Sequence, residues 1–107
     1  MSENLKKVSE SDFEATIKKG ITLVDFYADW CGPCRMMVPP LEKIANDFKG
    51  EVSVVKLDVD AAQRIAATYD VSSIPTLILF REGKEIGRVV GVQNADALKN
   101  FIISSKK

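Results

Sequence analysis

Apolar and polar positions along this 107-residue chain follow patterns that predict four strands. In Ile21–Ala28, apolar residues fall on both faces, which is typical of an interior strand covered by helices on each side. Val52–Val59 is a second β-rich segment. Thr76–Phe80 and Ile86–Val90 predict two more strands, which residues 81–85, with their glycine, join as an antiparallel hairpin.

Four helices are predicted from apolar residues at helical spacing and from residues typical of helix ends. They extend from a capping-box-like Ser9–Asp12 to Gly20, from residues 31–33 to about Phe48, over Ala61–Tyr69, and onward from an N-capping Asn94. Strands that alternate with helices and then form a hairpin predict an α/β fold, with a mixed sheet between helical layers.

Length and composition fit one compact domain over residues 1–107. Hydrophobic residues make up 46% and charged residues 28%, and fifteen basic side chains balance fifteen acidic ones. This balance argues against bulk-charge binding to nucleic acid or to an acidic membrane surface. Residues 1–7 lack the apolar core of a signal peptide, and no apolar run is long enough to span a bilayer. We therefore expect a cytoplasmic protein, with prior removal of a targeting peptide as the alternative.

The two cysteines are the candidate chemistry of the chain. Both lie in Trp30-Cys31-Gly32-Pro33-Cys34, which is the wrong distribution for a scaffold that cross-links distant segments. Residues three apart on a helical turn share a face, so the two Cα atoms can meet the disulfide window of roughly 4.4 to 6.8 Å. The alternatives are half a zinc site or an inert short-loop disulfide. A structural zinc needs four ligands, and the chain has two cysteines and no histidine. We predict a redox pair and no metal.

The position of each cysteine predicts its role. Cys31 should lie at the helix N-terminus, where free N–H groups and the positive end of the dipole favour a thiolate. Cys34 lies one turn deeper and should hold its proton more tightly. We therefore expect Cys31 to be the nucleophile and Cys34 to resolve the mixed disulfide. Gly32 permits a close backbone approach and Pro33 presets φ for the first turn, so both should tune the redox potential.

The chain resembles the thioredoxin family over nearly all of its length. The residues that carry the resemblance are Trp30–Cys34 after a strand with Asp25, then Ile74-Pro75-Thr76, then Gly91. The resemblance implies a thioredoxin fold, with a central mixed sheet of about five strands and about four flanking helices. It also implies a monomeric thiol-disulfide oxidoreductase that acts on disulfide-containing proteins, needs no bound cofactor and is reduced by a thioredoxin reductase.

Asp25 stands out because it lies in the predicted interior strand. A buried carboxyl group without a partner should have a raised pKa. The resemblance implies that Asp25 relays a proton to or from Cys34 through water; the alternative is a carboxylate on a partly open face. Lys56 could reach the same carboxylate if the two strands are neighbours, and would then tune the redox chemistry. A lysine that extends into solvent is the alternative.

Trp30, Ile74, Pro75 and Gly91 are the predicted substrate-binding residues. Trp30 could cover the motif and contact partners, or could be a core aromatic residue. A cis bond before Pro75 would place the Ile74 backbone beside the cysteines, although the base frequency of X–Pro bonds favours trans. Gly91 could leave room for a docked chain or mark an ordinary turn.

Two features depart from the family pattern. Tyr27 stands where many thioredoxins have tryptophan, which changes packing and not the exchange chemistry. Pro39-Pro40 places a second proline in the active-site helix, where each proline removes a backbone N–H. We predict a break in this helix, with Pro40 restarting it.

Three functions remain to be separated. A general dithiol reductase for protein disulfides is the leading hypothesis. An oxidase or isomerase of the same fold is the second, since direction depends on the redox potential relative to the compartment. The third is an accessory module that binds a larger enzyme through Trp30, Ile74 and Gly91, with incidental redox activity.

Overall fold

The fold is built on a mixed five-stranded sheet, seen in a computed structural model that describes residues 5–107. The strands are β1 (Lys6–Lys7), β2 (Ile21–Tyr27), β3 (Val52–Asp58), β4 (Thr76–Arg81) and β5 (Lys84–Val90). They lie in the order β1-β3-β2-β4-β5. β3 runs parallel to β1 and β2, whereas β4 is antiparallel to both β2 and β5. This arrangement confirms the predicted α/β fold with a central mixed sheet.

Among residues 5–107, five helical segments flank the sheet. They are α1 (Phe13–Ile17), α2 (Gly32–Arg35), α3 (Val38–Asp47), α4 (Gln63–Thr68) and α5 (Ala95–Ser105). As predicted, Asn94 caps α5, because its side chain accepts a hydrogen bond from the N–H of Ala97 at 2.8 Å. Within residues 5–107, none of these helices is both long and apolar enough to cross a membrane.

The core has one apolar layer on each face of the sheet. Alternate residues of β2 and β4 point to opposite faces, so Leu23 packs with α3 and α5, while Val24 packs with α1 and α4. Both side chains are completely buried. The sheet is thus covered on both sides, as the apolar faces of the β2 sequence predicted.

The break in the active-site helix lies earlier in the chain than the position predicted from Pro39-Pro40. Met36 and Met37 donate their N–H groups three residues back, to Pro33 and Cys34, and these bonds close α2 after one turn. α3 then begins at Val38, so the expectation that Pro40 restarts the helix is wrong. Both prolines lie in the first turn of α3, where an N–H has no partner within the helix. The break itself is present, and its position follows from this preference of proline.

Two further differences concern strands. The hairpin between β4 and β5 is tighter than the predicted connection over residues 81–85, because only Glu82 and Gly83 form the turn. Both have positive φ, 51° and 86°, as a two-residue hairpin turn of type I′ requires. β1 was not predicted from the pattern. It consists of two exposed lysines that pair with β3 and carry no apolar alternation.

Candidate active site

The two cysteines form a disulfide where the chain leaves β2 and enters α2. Their Cα atoms are 5.3 Å apart, inside the range predicted from the three-residue spacing. A turn after Tyr27 positions the pair, because the N–H of Cys31 donates to the carbonyl of Ala28 at 3.1 Å. Cys31 is the N-cap of α2 and has extended backbone angles. The local sequence therefore presents both sulfurs at one end of the sheet.

A hydrogen bond distinguishes the two sulfur atoms. The N–H of Cys34 donates to Sγ of Cys31 at 3.1 Å, as in a capped helix. The same N–H would stabilise a thiolate on Cys31 after reduction. α2 has only four residues, so this direct donor is a better reason for a Cys31 thiolate than the dipole of a long helix.

Burial does not distinguish the two cysteines in the disulfide state. Each residue has 4% of its surface exposed, so the lower accessibility expected for Cys34 is not visible here. Sγ of Cys31 lies 4.0 Å from the carbonyl oxygen of Ile74. A disulfide sulfur has no proton to donate, so this is a contact and not a hydrogen bond.

Asp25 is buried in β2, next to the disulfide. Only 3% of the residue is exposed, and Oδ1 has no hydrogen-bonding partner among the described residues. Burial raises the pKa of Asp25 to about 7, because a desolvated carboxylate is unfavourable, while the positive charge of Lys56 acts in the opposite direction. A carboxyl group with this pKa can gain and lose a proton near neutral pH.

Asp25 and Cys34 line the same small cavity. Its volume is about 170 Å³, and Lys56 and Tyr27 also line it. The cavity is large enough to hold water that could connect the carboxyl group to the sulfur. A larger cleft of about 820 Å³ lies elsewhere, against β1, α1 and the start of β3, and has no cysteine in its lining. Cavity size alone therefore does not identify the reactive site.

Lys56 faces Asp25 across neighbouring strands. The two residues are directly paired in the parallel register of β2 and β3, so the two strands are neighbours and Lys56 can reach the carboxylate. The ammonium group of Lys56 lies over the ring of Tyr27, 5.0 Å from its centroid, a cation–π distance. Lys56 is half-buried, so it is not a fully solvated surface lysine.

Trp30 is an exposed residue beside the disulfide. It has 68% of its surface exposed, which excludes the core-aromatic alternative. Its indole N–H donates to Oδ2 of Asp60 at 2.7 Å, and the N–H of Asp60 in turn donates to the side chain of Asp58. The indole ring is therefore fixed at one edge while its face remains open to solvent.

Ile74, Pro75 and Gly91 meet on another side of the disulfide. The Ile74–Pro75 peptide bond is cis, and the carbonyl of Ile74 faces Cys31. Gly91 follows β5 and donates its N–H to the carbonyl of Pro75 at 2.8 Å. Its φ of 93° requires glycine, and an added Cβ would meet no atom within 4 Å. The structure thus places Ile74 against Cys31 and connects Gly91 to this segment through Pro75.

Two contacts around the site were not predicted from the sequence. Asp60 anchors Trp30, and the buried sulfur of Met37 accepts the N–H of Gln93 at 3.2 Å. The partners are 30 and 56 residues apart in the chain, so no local pattern indicates them. Within the described part of the chain, no three His, Cys, Asp or Glu side chains cluster as metal ligands would.

Comparison with known proteins identifies the family. The thioredoxin family model matches residues 4–104. A thioredoxin of Staphylococcus epidermidis is 50% identical over 96 residues, which cover 90% of this chain and 92% of that protein. A thioredoxin of Staphylococcus aureus is 48% identical over the same shares. The chain belongs to the thioredoxin family.

Membership of the thioredoxin family confirms the fold and the reaction class expected from the WCGPC motif. The protein is a thiol-disulfide oxidoreductase of the protein-disulfide reductase type, and Cys31 and Cys34 are its redox-active pair. Thioredoxins as a family act on disulfide substrates and are reduced by thioredoxin reductase.

Proposed function

We propose that this protein is a general dithiol reductase in which Cys31 attacks and Cys34 resolves. The observation that carries the assignment is the N–H of Cys34, which donates to Sγ of Cys31 at 3.1 Å. A donor aimed at one sulfur favours the thiolate on that sulfur, and the thiolate is the attacking species. Gly32 and Pro33, between the cysteines, tune the redox potential in this proposal.

The reaction transfers two electrons from the dithiol to the substrate. The Cys31 thiolate attacks one sulfur of a substrate disulfide, which forms a mixed disulfide and releases the other substrate sulfur as a thiolate. The Cys34 thiolate then attacks Sγ of Cys31. This second step forms the intramolecular disulfide and releases the remaining substrate thiolate.

Asp25 is the proposed proton acceptor for Cys34. The Cys34 thiol must lose its proton before it attacks, and Asp25 shares a cavity with it. With a pKa of about 7, the carboxylate form of Asp25 is available at neutral pH and the protonated form remains stable. Lys56 favours the carboxylate and so tunes this proton transfer.

The proposed substrate-binding surface consists of Trp30, Ile74, Pro75 and Gly91. An extended segment of a substrate protein could pair with the Ile74 backbone while the exposed indole of Trp30 covers it. Val90 and Val92, which flank Gly91, are also exposed and extend the apolar surface. Exposed apolar side chains around a reactive sulfur support binding of protein substrates rather than small polar disulfides.

The cellular setting is also part of the proposal. We infer a monomer of one thioredoxin domain over residues 1–107, which works in the cytoplasm without a bound cofactor. Its substrates are disulfide-containing proteins and its electron donor is a thioredoxin reductase. The equal numbers of acidic and basic residues support a protein that binds neither nucleic acid nor membrane through bulk charge.

An insulin-type disulfide reduction assay with a dithiol reductant tests the proposal. We expect the wild type to accelerate reduction and Cys31→Ser to fall to the uncatalysed rate. A measured potential as oxidising as that of a disulfide oxidase would favour the oxidase or isomerase instead. If a double Cys31→Ser/Cys34→Ser variant retained the biological role, the accessory-module hypothesis would replace the reductase.

A further inference from the structure

A sulfur atom connects the active-site helix to the loop that follows β5. Met37 lies at the break between α2 and α3, and it is completely buried. Its Sδ accepts the N–H of Gln93 at 3.2 Å, a short distance for a thioether acceptor. Gln93 belongs to the loop of residues 91–94, between β5 and α5.

The loop of residues 91–94 presents part of the proposed substrate-binding surface. At one end Gly91 is bonded to Pro75, and at the other Asn94 caps α5. Between these anchors, Val92 is 44% exposed. The side chain of Gln93 reaches the carbonyls of Val90 and Gly91 only at 3.4 and 3.5 Å. The contact with Met37 is therefore the shortest of these three contacts, and the only one of them made by the backbone N–H of Gln93.

The chemistry of the contact depends on sulfur. Leucine and isoleucine fill a similar volume but have no acceptor, so either would leave the partly buried N–H of Gln93 unpaired. An unpaired buried donor is unfavourable, and the loop would move to expose it to water. The neighbouring Met36 is 64% exposed. The N–H of Gln93 donates to the sulfur of Met37 and not to that of Met36.

We propose that Met37 is a positioning residue that sets the affinity for protein substrates through Gln93. It acts by holding Val92 and Gly91 at a fixed distance from Cys31, and it takes no part in the sulfur exchange. This inference rests on the proposed reductase function and on its substrate-binding surface. The reaction of a substrate that contacts only the sulfur should not depend on the position of the loop, whereas the binding of an extended polypeptide should.

The test compares Met37→Leu with the matched control Met36→Leu. Leucine for buried methionine is a volume-conserving change that folded proteins tolerate. We expect amide hydrogen exchange at Gln93 to become about five- to tenfold faster in Met37→Leu. We also expect KM for a protein disulfide to rise about two- to tenfold with kcat unchanged. The rate with a small aromatic disulfide should stay within about twofold, and Met36→Leu should match the wild type.

Three results would overturn the inference: unchanged exchange at Gln93, unchanged KM, or an equal loss of rate with the small disulfide. Should Met37→Leu not fold, the wild type itself provides the test. Nuclear Overhauser contacts between the Gln93 amide proton and the Met37 side chain are expected, and their absence would contradict the bond. Failure of the proposed function is a separate result, since the wild type would then reduce no protein disulfide.

Discussion

Asp25 and Cys34 line one small cavity next to the redox-active disulfide, and Lys56 lines the same cavity. The carboxyl group comes from the middle of the sheet and the sulfur from the first turn of α2. Their common cavity gives the two cysteines different surroundings. Sγ of Cys31 accepts a hydrogen bond from a backbone N–H, whereas Cys34 shares a cavity with a proton acceptor, Asp25.

The buried Asp25 should make stability depend on pH. Its pKa is about 7 in the folded protein and near its ordinary value of 3.8 in the unfolded chain. Between these values the folded state binds more protons, so the free energy of unfolding falls as pH rises from about 4 to about 7. Asp25→Asn removes this loss and should be more stable than the wild type above pH 7, by as much as about 4 kcal/mol.

Urea unfolding of oxidised protein at pH 4, 6 and 8 measures this difference. Thr22→Val is the matched control, because Thr22 is also buried in β2 with an unpaired side-chain oxygen but does not titrate. The effect of Thr22→Val on the free energy of unfolding should be the same at every pH. An Asp25→Asn effect that is equally constant would show that Asp25 does not titrate near neutral pH.

Lys56→Met should raise the pKa of Asp25 further. Lys56 favours the carboxylate, so its removal leaves burial unopposed. We expect the pH profile of the resolving step to move to higher pH, and the step to slow at pH 7 because less Asp25 is ionised. Lys43→Met makes the same change in net charge on the exposed face of α3 and should leave the profile in place. A profile that moves to lower pH would be inconsistent with this role of Lys56.

The bond from Trp30 to Asp60 should hold the indole ring for substrate binding. Asp60→Ala removes the acceptor, whereas Asp60→Asn retains an oxygen that can accept the same hydrogen. Trp30 is the only tryptophan, so its fluorescence anisotropy reports the ring directly. We expect lower anisotropy and an increase of about two- to tenfold in KM for a protein disulfide in Asp60→Ala, with partial recovery in Asp60→Asn. Equal anisotropy in all three proteins would refute an anchoring role.

Gly87 should be required for the packing of α5 on β5. A Cβ at this position would lie 2.5 Å from Oγ of Ser105 and 3.0 Å from the ring of Phe101. Gly87→Ala should therefore lower the free energy of unfolding by about 1–3 kcal/mol. Gly32→Ala, where a Cβ meets no atom within 4 Å, is the control. The additional change Ser105→Gly should restore part of the loss, and an absence of any loss in Gly87→Ala would contradict the packing.

The sequence predicted those features that depend on local pattern. Apolar residues on both faces of β2 required helices on both sides, and the spacing of Cys31 and Cys34 allowed a disulfide. The position of the helix break was missed because two preferences compete. Proline disrupts a helix interior, but it is favoured in the first turn, so Pro39 and Pro40 begin α3 instead of interrupting it.

Contacts between distant segments could not be predicted from one sequence. The bonds from Trp30 to Asp60 and from Gln93 to Met37 depend on how the loops meet around the disulfide. β1 was missed for a related reason, because its two lysines become a strand only through pairing with β3. The burial of Asp25 was predicted from its strand neighbours, while the cavity it shares with Cys34 required the tertiary structure.

Covalent trapping tests the order of attack most directly. Cys34→Ser and Cys31→Ser are each reduced, mixed with a disulfide-containing protein and analysed by mass spectrometry without reductant, with the double serine variant as the blank. The proposed order predicts that Cys34→Ser accumulates a one-to-one mixed disulfide through Cys31, because its resolving thiol is gone, and that Cys31→Ser accumulates none. Accumulation with Cys31→Ser instead, or to the same extent with both variants, would contradict it.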